Sequence, residues 1–439
     1  MLSRGWNVRI GSAVATAALG AGVLAGPAWG SVSPTPANGT PQLASAGRTE
    51  QVRKMLPCNG SMYAVGRFSS ISWGGHTYTR HNVFRFRETA PFTVSSWDPD
   101  VNGTVNSIAF NNTCSVAYLG GDFTTVHGTG ATNLVAVSTS TGAVVKSFGH
   151  YANGQVETLL KTHGHLLTGG YFTRINGSGR RYMTSLNTGT GRDDGFLRLK
   201  ISGNYHYCSG GQCAGRNPTR VYNQQLSHSK SYDLVEGDFT SVGGQARQQI
   251  FMLNLTGSAG RVTAWTSGQF NEHCAFSEPF YLRAASWSPN DSTIYTATTG
   301  FHLYNWNHSF PLTGICDTAT AFPAAHRSVK YLWRNFTGCD SLYSTAADSS
   351  TAYFGGHERW SQNPGGCNQA GPGAISAPGM EGLSPSSGQL IFNPTRARGH
   401  GADDMLITRA GLWISSDNFE GSSKCGGVAG HAGICFLPN

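Results

Sequence analysis

Ala117-Tyr118-Leu119-Gly120-Gly121-Asp122-Phe123-Thr124-Thr125-Val126 is the run whose reading decides the fold, because versions of it return along the chain. They lie at Tyr63 to Ile71, Leu167 to Ile175 and Leu234 to Val242, and their phenylalanines (Phe68, Phe123, Phe172, Phe239) stand 55, 49 and 67 residues apart. Strand-like segments repeating at this interval are the signature of a propeller blade. Around the quoted run, Val105 to Phe110 reads as a first strand and Ser115 to Phe123 as a second. Thr124 to Thr132 reads as a loop, Asn133 to Val137 as a third strand and Ala143 to Phe148 as a fourth. Thr141-Gly142 recurs as Thr190-Gly191, Ala259-Gly260 and Ser387-Gly388, turns in which glycine supplies positive φ.

Degenerate copies follow at Thr293 to Thr299, at Tyr353 to Glu358 and at Leu412 to Asp417, so blades should begin near residues 51, 104, 155, 219, 279, 340 and 403. The expected fold is all-β: a single β-propeller of seven four-stranded blades over 51–439, its ring closed by N- and C-terminal segments. Six or eight blades are the alternative counts. Residues 31–50 read as a flexible lead-in or as the closing strand.

Composition agrees with this class. The 439 residues include 58 glycines and only 12% charged residues, which favours many turns, while 39% hydrophobic and 11% aromatic residues suffice for a core. Arg4 and Arg9 precede an apolar run from Gly11 to Leu24, too short to span a bilayer, and Ala28-Trp29-Gly30 supplies small residues for cleavage before Ser31. Residues 1–30 are therefore expected to be a signal peptide, and the protein secreted, extracellular or associated with a cell wall. Removing those two arginines leaves 29 basic and 23 acidic residues, a spread-out excess without the basic stripe of a nucleic-acid binder. Ten cysteines behind a signal peptide read as disulfides. Cys208 and Cys213 close a small glycine-containing loop. Cys58 and Cys114 hold the same place in adjacent repeats. Pairs 274–316, 339–367 and 425–435 follow from order alone.

The Gly-Asp/Tyr-Phe-Ser/Thr strands, the Thr-Gly turns, Gly355-Gly356-His357 and the end of the chain (Gly411 to Asp417, then Ala432 to Pro438) resemble secreted actinobacterial β-propeller proteins with delta-60 or kelch-like repeats. The resemblance covers most of the mature chain. It implies an architecture and no catalytic residues.

Loops after the second and fourth strands of a blade emerge on one side, and both insertions (202–219 and 361–380) belong to that set, so the ligand face is expected there. The residue after the strand glycine varies: Arg67, Asp122, Tyr171, Asp238 and His357, with Asp417 after Ser416. These six are the candidate ligand-binding ring, although an aspartate at such a turn also caps its own backbone. Trp73, Trp306 and Trp360 are candidate sugar platforms, and Arg396, Arg398 and His400 a small basic cluster. The expectation is a monomeric binding protein without cofactor or metal, recognising a polysaccharide, cell-wall polymer or protein. The alternative is a glycoside hydrolase or lyase with Asp122 and Asp238 as its carboxylates.

Overall fold

The computed structural model describes residues 1, 32–44, 50–204, 218–271, 274, 281–300, 314–394, 401–417 and 432–439, with backbone alone at 208–209 and 212–213. Among them the chain is all-β, with many small antiparallel sheets and a single 3-10 turn at Gly268–Asn271.

Seven sheets share one plan and follow one another along the chain. Their first strands are Gln51–Cys58, Thr104–Phe110, Val156–Thr162, Arg220–Leu226, Leu282–Trp287, Leu342–Ala347 and Ala402–Thr408. Each pairs with a second strand, respectively Ser61–Arg67, Val116–Asp122, His165–Gly170, Tyr232–Asp238, Thr293–Thr298, Ala352–Gly356 and Gly411–Ser416. A third strand follows in every sheet, and a fourth in sheets four, five and six. In the first three sheets the fourth strand shrinks to single bridges, Phe86 to Val94, Val137 to Val144 and Leu186 to Asp193. The strand expected over Ala143 to Phe148 is thus only a contact. The chain leaves the ladder early because Phe148 turns in against Tyr118 (ring centroids 5.2 Å) and is buried between sheets two and three. Gly142, Gly191 and Gly388 have the expected positive φ.

First strands of consecutive sheets are in contact from sheet one to sheet seven, and Ala402–Thr408 is in contact with Gln51–Cys58. The core is divided accordingly. One hydrophobic cluster joins sheets one and two through Tyr63, Val105 and Leu119, and others fill the successive gaps. The cluster of Val52, Phe86, Trp413 and Phe436 joins sheet seven to sheet one. Second strands are buried on both faces, and in the fourth sheet this buries Asp233 and Glu236 along with Leu234 and Val235.

Polar staples connect the layers. Asn82 accepts from the Phe68 N–H (3.1 Å) and donates to the Val101 carbonyl (2.7 Å); Asn133 does the same between Phe123 and Ala152 (3.2 and 3.1 Å). Gln249 accepts from Tyr281 and Leu282 N–H groups (2.8 and 3.2 Å). The indoles of Trp97, Trp265 and Trp333 donate to carbonyls of Ser138, Pro323 and Pro385 in the next sheet. Residues 32–44 lie along the last strand, Ile434–Pro438. Ser33 and Ala37 donate to the Pro438 and Phe436 carbonyls, and Leu43 to that of Ala432 (2.6, 2.9 and 2.9 Å), with Val32 and Leu43 buried.

Disulfides join Cys58 to Cys114, Cys274 to Cys316 and Cys339 to Cys367. Cys208 and Cys213 face each other across a two-stranded ladder, but their side chains lie outside the described residues. Cys435 is disulfide-bonded, and Cys425 lies outside the described residues. The segment expected as a loop at 124–132 is a hairpin, Thr125–Val126 against Thr129–Gly130, and hairpins occupy the same place after Arg67, Asp238 and Gly356. Buried Ile71, Val126 and Val242 pull these hairpins down onto the sheets.

The two glycines of the repeat have separate causes. A Cβ on Gly121 would collide with the Thr104 carbonyl oxygen of its own sheet's first strand, and Gly66, Gly170, Gly237 and Gly356 face the equivalent carbonyls. A Cβ on Gly120 or Gly169 would instead enter Val156 or Val221 of the following sheet. Gly121→Ala is therefore expected to destabilise the fold by about 1–3 kcal/mol, whereas Gly130→Ala, with open space around it, should stay within about 0.5 kcal/mol. Chemical denaturation of both variants checks this, and equal midpoints would contradict it.

Candidate functional site

At or next to the start of every first strand a buried aliphatic residue is followed by one residue too many. Val52 pairs with Gly66 and Lys54 with Val65, leaving Arg53 without a partner in the ladder. The same bulge leaves out Asn106, Glu157, Tyr222, Arg283, Tyr343 and Asp403. The preceding residues, Val52, Val105, Val156, Val221, Leu282, Leu342 and Ala402, are all fully buried. Anchoring that residue fixes where the next one points, because a bulge re-aims a side chain while leaving the rest of the ladder in register.

All seven bulge residues line one cavity of about 480 Å³, within the size range of small-ligand sites. It lies at the end where first strands start and second strands finish, the end that also carries the hairpins. A second cavity of about 410 Å³ lies further along the same seven strands and is lined by such residues as Ile108, Leu159, Leu226 and Ile407. Lys54, Gln225, Thr345, Asp404 and Met405 belong to both walls.

The polar cavity is built by mutual contacts. Arg53 donates through Nε to Gln51 Oε1 (2.6 Å) and through Nη1 to Asn106 Oδ1, and Asn106 in turn donates to the Val156 carbonyl (3.1 Å). Gln51 Nε2 reaches Asp403 Oδ2 at 3.4 Å. Across the cavity the Arg220 guanidinium lies 3.5 Å from Glu157 and over the rings of Tyr171 and Tyr222 (5.0 and 5.4 Å). Lys54 stands 3.9 Å from Asp404. Burial raises the Glu157 carboxyl above its ordinary range against the pull of Arg220 and Arg53, and nearby Asp122 adds to the rise. Burial likewise raises the Tyr222 phenol.

Of the six residues expected to form the ligand ring, Tyr171 lines this cavity. The others flank it. Arg67 and Asp122 are exposed opposite Gln51 and Thr104, while Asp238 is fully buried opposite Arg220. His357 is half-buried with its ring 5.3 Å from that of Tyr343, and Asp417 is buried and bridges to Gln51. Sequence reasoning placed the ring at the end of the second strand and missed the bulge residues beside it. A polar or aromatic residue directly follows the buried aliphatic of each first strand, a pattern that does not by itself show which residue the ladder skips. Trp73 donates to the Pro91 carbonyl and is partly buried; Trp306, Arg396, Arg398 and His400 lie outside the described residues.

Glu236 occupies the repeat position of Gly120 and Gly169, and is wholly buried toward sheet five. Burial pushes its carboxyl up to about 8, opposed by the Ala285 N–H, Asn223 and Lys54, and burial also pushes Glu381 up to about 7.

No protein-family model matches the chain, and no curated protein matches it. Among solved structures it is similar to the computationally designed Ika8 protein, at 9% identity and a TM-score of 0.46, over 90% of this chain and 98% of that one. A likeness this loose carries no argument about function.

The buried carboxyls make stability depend on pH. Glu236 and Glu381 hold protons in the folded state at pH values where the unfolded chain has released them, from about 4.5 up to about 8 and about 7. Stability therefore falls as pH rises through that window. Glu236→Gln should flatten the decline and raise stability at its alkaline end, as read from denaturation midpoints across the window; an unchanged pH profile would contradict the assignment.

Proposed function

We propose that the seven sheets are blades of one closed β-propeller and that the protein is an extracellular binding protein, holding a polar ligand at the mouth of the central channel. The observation that carries this reading is the convergence of all seven bulge residues on one cavity. Ring closure is supported by the succession of first-strand contacts, which leads from sheet seven back to sheet one, and by residues 32–44 running along the final strand. Secretion is supported by the N-terminal segment and by three disulfides; no described helix is long and apolar enough to cross a membrane.

The cavity suits a hydroxylated polymer. Amide and hydroxyl groups of Gln155, Asn223, Gln225, Ser107 and Thr158 can exchange hydrogen bonds with sugar hydroxyls, and Tyr171, Tyr222 and Tyr343 offer ring faces. Residues 31–439 incubated with insoluble polysaccharides and bacterial cell walls should appear in the pellet with at least one of them. The double variant Tyr222→Ala, Tyr343→Ala should remain in the supernatant, with a cooperative thermal transition showing that it is folded. Retention of the folded double variant in the pellet would remove the cavity from the account. Release of soluble sugar would replace a binding protein with a glycoside-cleaving enzyme.

A further inference from the structure

We propose, building on that reading, that the cavity selects an acidic saccharide, one whose hydroxylated ring carries a carboxylate, sulfate or phosphate group, and that Arg53 receives the anionic group. The wall holds Arg53, Lys54, Arg220 and Arg283 against Glu157, Asp403 and Asp404, so cations exceed carboxylates even when every carboxyl is ionised.

The cations are not equivalent. Lys54 lies beside Asp404 and Arg220 beside Glu157, so each is neutralised locally. Arg53 is held differently: its Nε and Nη1 donate to two neutral amides, Gln51 and Asn106. Those contacts orient the guanidinium without cancelling its charge. Asn106 is itself anchored to the Val156 carbonyl of the next sheet, so the support is rigid. Both Arg53 and Asn106 are bulge residues, extra to their ladders and turned into the cavity. A guanidinium oriented in advance, with Nη2 and the second N–H of Nη1 left for a ligand, matches the paired oxygens of a carboxylate, sulfate or phosphate. Across the cavity, Arg220 lies over the Tyr171 and Tyr222 rings, a stack that sets the tyrosine planes for a sugar ring. An anionic group alone would leave the many amides and hydroxyls of the wall unused, and a neutral sugar would leave the wall's excess of cations unmatched.

The test is titration calorimetry of residues 31–439 with four probes: oligogalacturonate, chondroitin sulfate oligosaccharide, phosphomannan oligosaccharide and neutral maltooligosaccharide. The expected result is saturable binding to at least one anionic probe, weakening as salt rises, with the neutral probe weaker by roughly tenfold or more. Whichever anionic probe binds identifies the group. Arg53→Gln should lose that binding by roughly tenfold or more, and Arg53→Lys should lose less, because charge survives without the bidentate geometry. Thermal midpoints establish that both variants are folded; if Arg53→Gln is not, the Arg53→Lys affinity and the salt dependence decide. Equal or preferred binding of the neutral probe, or anionic binding that ignores both Arg53 variants, overturns the inference while leaving a polar-ligand site in place. Absence of binding to all four probes overturns the inference, and the pellet assay then decides separately whether the cavity binds any polymer.

Discussion

One surplus residue in the first strand of each sheet governs the arrangement of the whole molecule. The aliphatic residue before it is sealed between neighbouring sheets, and the pairing resumes in register after it. The surplus residue has no partner in the ladder and turns into a shared cavity. At Gly66, Gly121, Gly170, Gly237 and Gly356 a first-strand carbonyl stands where a Cβ would fall, whereas sheets five and seven keep the bulge with Thr298 and Ser416 at that place.

Stability and function are separated along the strands. Outward from the cavity, hydrophobic clusters fill each gap between sheets, and amides and indoles staple each sheet to its successor. Those contacts hold the bulges in place, so the wall can vary from Arg53 to Tyr222 to Asp403 without altering the core. Glu236 departs from this division. It puts a carboxyl where Gly120 and Gly169 make room for the next sheet, and its neighbour there is Ala285. A buried acid with a raised pKa costs stability at alkaline pH.

Much of the fold was legible in the chain. The recurrence around Phe68, Phe123, Phe172 and Phe239 marks second strands, and blade starts read at 51, 104, 155, 219, 279, 340 and 403 lie within three residues of the first strands. Fourth strands were less legible, since Ala143 to Phe148 has strand composition but Phe148 gains more by burial between sheets than by pairing. The hairpin at 124–132 was hidden because its four paired residues look like any polar turn; only buried Val126 marks it. The site was legible to within one strand. The variable residue beside the glycine drew attention to Asp122 and Tyr171, yet of those six positions Tyr171 lines the cavity. A bulge is a matter of pairing between strands, and a single strand such as Gln51-Val52-Arg53-Lys54 carries no mark of which residue will be skipped.

The most direct test of this account is native-state thiol labelling, with cysteine placed in turn at each bulge position and at the aliphatic residue before it. If the bulges face one solvent-filled cavity, cysteines at 53, 106, 157, 222, 283, 343 and 403 should react with a small polar reagent without denaturant. Cysteines at 52, 105, 156, 221, 282, 342 and 402 should remain protected until the protein unfolds. Protection of the first set, or equal reactivity of both sets, would mean that the bulges do not converge on a cavity and would remove the basis of the proposed site.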